Sequence, residues 1–284
     1  MRVGLVTDST AQLSLDTAAR RDITVIPLNV VIDEETYEEG PHGASADFVA
    51  QSLRERRAVS TSRPVPTTFE EAYARLAAAG VDEIVSVHIS GEMSGTVESA
   101  QVAARTASVP VHVVDSGQVG PATGFAVLSA ADVRDAGGTG EEMASAASAR
   151  AAAASSLFYV DTLDYLRRGG RIGTAAALLG SALAVKPLLT ITDGKVASLE
   201  RVRTSSKALA RLADLAVREA GDRSVEVVVA HLANAERAQA LSLDLQTRLA
   251  AGLEGREVIE SEVSAVLGAH VGPGMVAVCV APLV

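Results

Sequence analysis

The alternation of short apolar runs with alanine-rich segments constrains the fold of this chain more than any other feature. From Arg2 to Ala154, β-branched runs of strand length are each followed by a segment with helical spacing. Strands and helices that alternate in this way form a parallel sheet with helices packed on its faces. From Ser156 onward the pattern changes, because two apolar runs flank the turn Asp193-Gly194 as a hairpin. The second half is therefore expected to contain a mixed sheet.

A chain of 284 residues has the length of about two domains. The change of pattern falls near Ser155, so we predict an N-terminal, Rossmann-like α/β domain over residues 1–155. A C-terminal α/β domain with a mixed sheet is predicted over residues 156–284. Within it, the alanine-rich segment from Ala175 to Leu183 is predicted to be helical.

Composition excludes several classes of protein. A net charge of −10 argues against nucleic-acid binding, which needs a basic face. No run of 18 apolar residues occurs, and the chain begins directly with a strand pattern, so we expect neither a membrane span nor a signal peptide. The single cysteine, Cys279, cannot form an internal disulfide and is expected to be buried and inert. These features favour the cytoplasm, and aromatic residues at only 3% predict that any cavity has aliphatic walls.

The turn from Ser90 to Thr96 is the most informative candidate site. It joins a predicted strand to a predicted helix and contains three hydroxyls and two glycines, Gly91 and Gly95. Unpaired N–H groups and the positive end of the helix dipole make such a turn suitable for a carboxylate or a phosphate. The alternative is that Ser94 or Thr96 only caps the helix, and both interpretations can hold together.

Polar residues also follow two other predicted strands. Asp8-Ser9-Thr10 comes after the first strand, and Asp115-Ser116 ends another. Ligands of parallel α/β sheets bind beyond the carboxyl ends of the strands, where these residues and the Ser90–Thr96 turn are expected to meet. Taken alone, Asp8, Ser9 and Thr10 are better explained as a helix cap than as ligand-binding residues.

Standard catalytic motifs are missing from the sequence, with one alternative left open. No phosphate-binding loop occurs, and the five histidines lack zinc-ligand spacing, so no metal site is expected. A serine acyl hydrolase is the remaining enzymatic hypothesis, with Ser94 as nucleophile, His270 as base and Asp115 as its orienting acid. Hydroxyls that occur in groups favour anion binding over attack on an ester.

An ordered set of short motifs runs through nearly the whole chain. The set consists of Asp8-Ser9-Thr10, Thr61-Ser62-Arg63-Pro64, Ile89-Ser90 with Ser94-Gly95-Thr96, Asp115-Ser116, Leu166 to Ile172, Lys186-Pro187, Asp193-Gly194, Arg203, and His270 to Gly274. In this order they resemble the DegV family, the fatty-acid-binding proteins of bacteria.

The resemblance implies a long-chain fatty acid in a tunnel between two α/β domains. It also implies a non-catalytic role as the binding subunit of a fatty acid kinase, with no cofactor beyond the bound acid. An ATP-dependent partner subunit would phosphorylate the carboxylate to an acyl phosphate. Peripheral, transient contact with a membrane is a further expectation.

Carried over by motif, the carboxylate-binding residues are Thr61, Ser62, Ser94 and Gly95. The surrounding polar network implied by the resemblance consists of Ser90, Arg171, Arg203 and His270. Two residues depart from the family pattern: Arg63 replaces a glutamine and adds a cation near the headgroup, and Gly91 replaces a serine. The prolines in Val59 to Thr67 predict an extended loop there, so Thr61 and Ser62 are expected on a loop.

Overall fold

The computed structural model describes residues 2–178 and 186–284. Its strands are β1 (Val3–Asp8), β2 (Ile23–Ile26), β3 (Asn29–Ile32), β4 (Glu35–Glu38), β5 (Val59–Ser62), β6 (Glu83–His88), β7 (Val111–Asp115), β8 (Ser155–Tyr159), β9 (Lys186–Thr192), β10 (Lys195–Val202), β11 (Val225–His231), β12 (Ile259–Glu262) and β13 (Val276–Pro282). The α-helices are α1 (Leu15–Arg20), α2 (Ala46–Arg54), α3 (Pro66–Ala78), α4 (Thr96–Ala104), α5 (Pro121–Asp135), α6 (Gly140–Ala153), α7 (Asp164–Arg168), α8 (Ser205–Ala220), α9 (Ala235–Arg248), α10 (Ala250–Leu253) and α11 (Ala265–Val271). Short 3₁₀ helices cover Ser9–Ala11 and Gly173–Leu178.

The first sheet is parallel, as predicted. Its strand order is β2-β1-β6-β7, and every neighbouring pair is parallel. All six residues of β1 are buried, because α5 and α6 cover one face of this sheet while α3 and α4 cover the other. Burial on both faces explains why the strands read as continuous apolar runs rather than as alternating ones.

The second sheet is mixed, which confirms the prediction for the C-terminal half. Its order is β10-β9-β8-β13-β11-β12, and among these pairs only β11 and β12 run parallel. Asp193 and Gly194 join β9 to β10 with φ of 49° and 74°, the positive values that a tight hairpin turn requires. Of the helix predicted over Ala175 to Leu183, the structure shows the 3₁₀ helix Gly173–Leu178, and residues 179–183 lie outside the described part of the chain.

A third, antiparallel sheet of order β4-β3-β5 was not predicted. The run from Ile23 to Ile32 breaks at Pro27, so that β2 joins the parallel sheet and β3 joins this small sheet. Thr61 lies on β5, opposite Val30 of β3. The prediction of an extended loop over Val59 to Thr67 was therefore wrong for its first four residues, which form β5. The prolines of that segment come only after the strand has ended and therefore do not interrupt its ladder.

The small sheet packs against the C-terminal helix α11. Val30 and Ile32 share one buried cluster with residues of α2 and with Ala265, Val266 and Ala269 of α11. Glu39 Oε1 also accepts a hydrogen bond of 2.7 Å from the N–H of Val266, in the first turn of α11. These contacts bring β5 beside the end of α11. A domain division after residue 155 remains a proposal.

Candidate functional site

A cavity of about 450 Å³ lies between the mixed sheet and the turns at the carboxyl ends of the parallel strands. Its walls are mainly aliphatic, as the composition predicted. Apolar lining residues include Leu28, Ile89, Met93, Val119, Phe158, Leu166, Ile191, Val196, Ala230, Val263, Val266, Leu267, Val271, Met275, Ala277 and Cys279. The thiol of Cys279 is buried and burial raises its pKa to about 12, so this cysteine is inert at neutral pH, as expected.

Hydroxyl and basic side chains form a second part of the lining. Thr61 and Ser62 reach the cavity from the end of β5, and Ser94 and Gly95 reach it from the turn before α4. The other polar and charged residues of this part are Arg63, Arg171 and His270. The structure thus brings all four residues predicted to hold a carboxylate into one lining, although they come from segments far apart in the sequence.

Thr61 and His270 are joined across that lining, with 2.8 Å between Oγ1 and Nε2. Among the described residues, the buried Nδ1 of His270 has no hydrogen-bond partner. A buried unpaired N–H is costly, so we assign the ring proton to Nε2, which donates to Thr61. The hydroxyl proton of Thr61 is then free to be donated to a ligand.

The position of the His270 ring depends on Gly169. A Cβ placed on Gly169 would lie 2.1 Å from Nδ1 of His270. Burial, and secondarily the charge of Arg171, lowers the pKa of His270 to about 4. His270 is therefore uncharged at neutral pH and acts there as a hydrogen-bond donor rather than as a cation.

The turn before α4 presents backbone donors. Gly95 is the N-cap of α4, and no side chain of the described residues caps this helix, so the prediction of a cap by Ser94 or Thr96 was wrong. Instead, the hydroxyls of Ser94 and Thr96 bond to each other at 2.8 Å. The first N–H groups of α4 are thus left without a side-chain cap, and its N-terminal end lies beside Gly95 in the cavity lining, which is a favourable place for an anion.

Two arginines hold the backbone of this turn. Arg63 Nη1 donates to the carbonyl of Gly95 at 3.1 Å and forms an ion pair with Glu98. A Cβ on Gly95 would fall 1.9 Å from that nitrogen, so only glycine leaves room for the arginine. Arg171 Nε donates to the carbonyl of Met93 at 3.0 Å. Both guanidinium groups are exposed at the rim, and the carboxylate of Glu98 offsets the positive charge of Arg63 there.

The structure does not place two predicted network residues in the cavity. Ser90 Oγ donates to the carbonyl of Gly194 at 2.8 Å and faces a separate, polar cavity on the other side of the turn. Arg203 is exposed directly after β10 and is not among the residues that line the cavity. Ser90 points away from the cavity because its hydroxyl bonds to the hairpin at Gly194. Arg203 lies away from the cavity because it follows β10, the edge strand of the mixed sheet.

Gln12 lines the cavity but was not singled out from the sequence. It follows the Asp8-Ser9-Thr10 motif in a left-handed conformation, with φ of 56°, and its Nε2 donates to the carbonyl of Glu262 at 2.8 Å. The motif before it was the available signal, since that motif marked the turn in which Gln12 lies.

The hydrolase hypothesis is not supported by the geometry. Ser94 bonds to Thr96, and His270 Nε2 is taken by Thr61. Asp115 accepts from the N–H groups of Gly91 and Gly117 and lines the separate polar cavity. Nucleophile, base and acid are therefore not connected by hydrogen bonds, and the catalytic unit that the hypothesis needs is not assembled.

Within residues 2–178 and 186–284, no three or more histidine, cysteine, aspartate or glutamate side chains are grouped so that they could hold a metal ion. The same residues contain no helix that is both long and apolar enough to cross a bilayer.

The lowered pKa of His270 predicts a pH dependence of stability. In the unfolded chain the imidazole of His270 takes up a proton near pH 6.5, whereas in the folded protein it does so only near pH 4. The contribution of neutral His270 to the free energy of unfolding is therefore complete above pH 6.5 and is lost as the pH falls towards 4. The loss is about 2 kcal/mol when the partial exposure of His270 is allowed for. Urea unfolding at pH 7 and pH 4.5 should show a larger loss for the wild type than for His270→Gln. The exposed His42→Gln should behave as the wild type, and equal losses in all three would contradict the assignment.

Fold and cavity together define a class: mixed α/β proteins that enclose an aliphatic cavity bordered by hydroxyl and backbone donors. Within this class the chain belongs to the DegV family. The family model described as "uncharacterised protein, DegV family" matches residues 2–283.

Relatives match over almost the full length of the chain. A DegV domain-containing protein of Streptomyces coelicolor is 53% identical over 278 residues, covering 98% of each chain. One from Deinococcus radiodurans is 38% identical and covers 100% of this chain and 99% of its own. Among solved structures, a DegV family protein of Thermus thermophilus, described as fatty acid binding, has a TM-score of 0.92 at 33% identity. DegV of Bacillus subtilis, described as a fatty acid binding protein, has a TM-score of 0.90 at 29% identity. Each of these two structures covers 100% of both chains.

Proposed function

We propose that this protein binds a long-chain fatty acid and presents its carboxylate to an ATP-dependent kinase subunit. The observation that carries the proposal is a single cavity that combines aliphatic walls with Thr61, Ser62, Ser94 and the N-terminal end of α4. The Thermus and Bacillus relatives, described as binding fatty acids, support the choice of ligand. A cytoplasmic location is part of the same proposal.

The apolar part of the cavity supplies most of the affinity. Each buried methylene contributes about 0.8 kcal/mol, so a tail of ~16 carbons provides on the order of 10 kcal/mol before the cost of ordering it. Aliphatic walls suit such a tail because they contact it along its length without requiring particular polar partners.

The polar part of the lining is suited to a carboxylate that must react. A buried carboxylate needs several donors, which hydroxyls and backbone N–H groups provide. The hydroxyl of Thr61, which accepts from neutral His270, can donate to the acid without placing a fixed cation against its oxygen. Arg171, whose guanidinium is exposed at the rim, would offset part of the charge of an incoming phosphate.

The ligand is tested by extracting the purified protein with organic solvent and identifying the lipid by mass spectrometry. One long-chain fatty acid per protein is expected, and a neutral or phosphorylated lipid in its place would overturn the ligand assignment. A fluorophosphonate probe serves as a second test, because covalent labelling of Ser94 would favour an acyl hydrolase.

The kinase role requires a separate experiment. The loaded protein is incubated with an ATP-dependent fatty acid kinase subunit and ATP, and acyl phosphate is trapped with hydroxylamine as the hydroxamate. Hydroxamate formation that depends on all three components is expected. If the protein binds fatty acid tightly but no acyl phosphate forms, the kinase role is refuted and the protein is a fatty acid carrier only.

A further inference from the structure

The carboxylate of Asp8 is fully buried at the end of β1 and accepts four hydrogen bonds. Oδ1 accepts from the N–H and the hydroxyl of Thr10, the former at 3.0 Å. Oδ2 accepts from the N–H of Ile89 at 3.0 Å and is 3.0 Å from Nδ1 of His88. Asp8 therefore does more than cap the turn of its own strand, because half of its bonds reach the end of β6.

Further hydrogen bonds fix the side of Asp8 that faces His88. Tyr73 donates to Ser86 Oγ at 2.9 Å, which leaves the serine proton free for His88 Nε2 at 2.7 Å. The Nδ1–H of His88 then donates to Asp8. His88, Ser86 and Asp8 are all inaccessible to solvent, and none of them lines the cavity. This serine, histidine and aspartate arrangement cannot act on a ligand and can work only through the backbone that it holds.

The backbone that Asp8 holds belongs to two turns that line the cavity. Thr10 lies in the turn that carries Gln12, and Ile89 lies at the start of the turn that carries Ser94 and Gly95. The second turn is also closed locally, since the N–H groups of Met93 and Ser94 both donate to the carbonyl of Ser90 at 3.0 Å. The bond from Ile89 to Asp8 thus fixes the point from which that turn starts.

We infer that Asp8, oriented by His88, is a positioning residue that holds the Ile89–Gly95 turn in the geometry needed to bind a carboxylate. The inference rests on the proposed function, because it assigns to that turn a fatty acid headgroup. An asparagine at this position would present an amide NH₂ to one pair of donors, so at least one of the bonds from Thr10, His88 or Ile89 would be lost.

The test compares Asp8→Asn with Thr7→Val. Thr7 is equally buried, and its hydroxyl bonds to the carbonyl of Val87 between the same two strands without touching either turn. Three measurements are made on both variants: amide hydrogen exchange of residues 89–95, the nitrogen NMR signals of the His88 ring, and affinities for oleate and for oleyl alcohol. The alcohol shares the tail but lacks the carboxylate.

For Asp8→Asn we expect exchange at residues 89–95 to rise at least tenfold and the oleate affinity to fall at least tenfold. The affinity for oleyl alcohol should change less than threefold. Thr7→Val should leave the ratio of the two affinities and the local exchange unchanged. A His88 ring protonated at Nε2 in the wild type, or equal losses for oleate and alcohol, would overturn the inference.

Exchange and NMR need no ligand, so they also separate the inference from the proposed function. If the wild type binds no oleate, the proposed function fails, whereas the positioning role of Asp8 is still decided by exchange at residues 89–95. If Asp8→Asn is too unstable to purify, Tyr73→Phe removes the outermost hydroxyl of the same chain of bonds. That variant should raise exchange at residues 89–95 by a smaller factor, and no rise would refute the positioning role of Asp8.

Discussion

Replacing Thr61 and Ser94 together by alanine should weaken the binding of a long-chain fatty acid by at least about 100-fold. Both hydroxyls line the polar part of the cavity, and Thr61 is oriented by His270. A hydrogen bond to a charged group contributes about 1.5–3 kcal/mol, so the loss of two amounts to about 3 kcal/mol or more. Isothermal titration with oleate measures the effect directly.

The matching fatty alcohol separates headgroup from tail in this experiment. The double variant should bind oleyl alcohol within threefold of the wild type, because the walls that hold the tail are unchanged. Thr106→Ala, which removes a hydroxyl bonded at the end of α4 away from the cavity, is the control and should bind oleate normally. Unchanged oleate affinity in the double variant would show that the acid is held elsewhere.

Ala277→Phe should reduce the affinity for an 18-carbon acid by about 100-fold while sparing shorter acids. Ala277 lies on β13 in the wall of the cavity, so a phenyl ring there takes the space of several methylenes. Displacing about four of them forfeits about 3 kcal/mol. Competition between acids of 12 and 18 carbons measures the change in preference.

The control for this variant adds the same ring outside the cavity. Ala240 is exposed on α9, so Ala240→Phe should leave the preference for chain length unchanged. Overpacking typically costs about 1–3 kcal/mol, and urea unfolding of both variants shows whether stability accounts for the loss. An equal loss for both acids would indicate that Ala277 does not face the tail.

The parts of the fold that could be predicted from the sequence are those with local signals. Alternating strands and helices predicted the parallel sheet, and the Asp193-Gly194 turn predicted the hairpin of the mixed sheet. The pairing of β3 with β5 in the small sheet was missed because α2 separates these two strands and no short turn joins them. Pairing between distant strands leaves no local pattern, and the nearby prolines favoured a loop.

The candidate site shows the same limit. The position of Ser94 and Gly95 in the cavity lining could be anticipated because a turn between a strand and a helix has a known geometry. The contact between Thr61 and His270 depends on packing of the small sheet against α11, which only the fold reveals. Ser90 and Arg203 were assigned by motif alone, and the hairpin directs both away from the cavity.

The pairing of Thr61 with His270 also bears on when an acid ligand can be bound. The two residues are 209 positions apart in the sequence. During synthesis on the ribosome, the hydroxyl of Thr61 is present long before the imidazole that orients it. An acid that needs both groups can therefore be bound only after residue 270 has been added and has folded against β5, and the N-terminal sheet alone cannot hold it in this way.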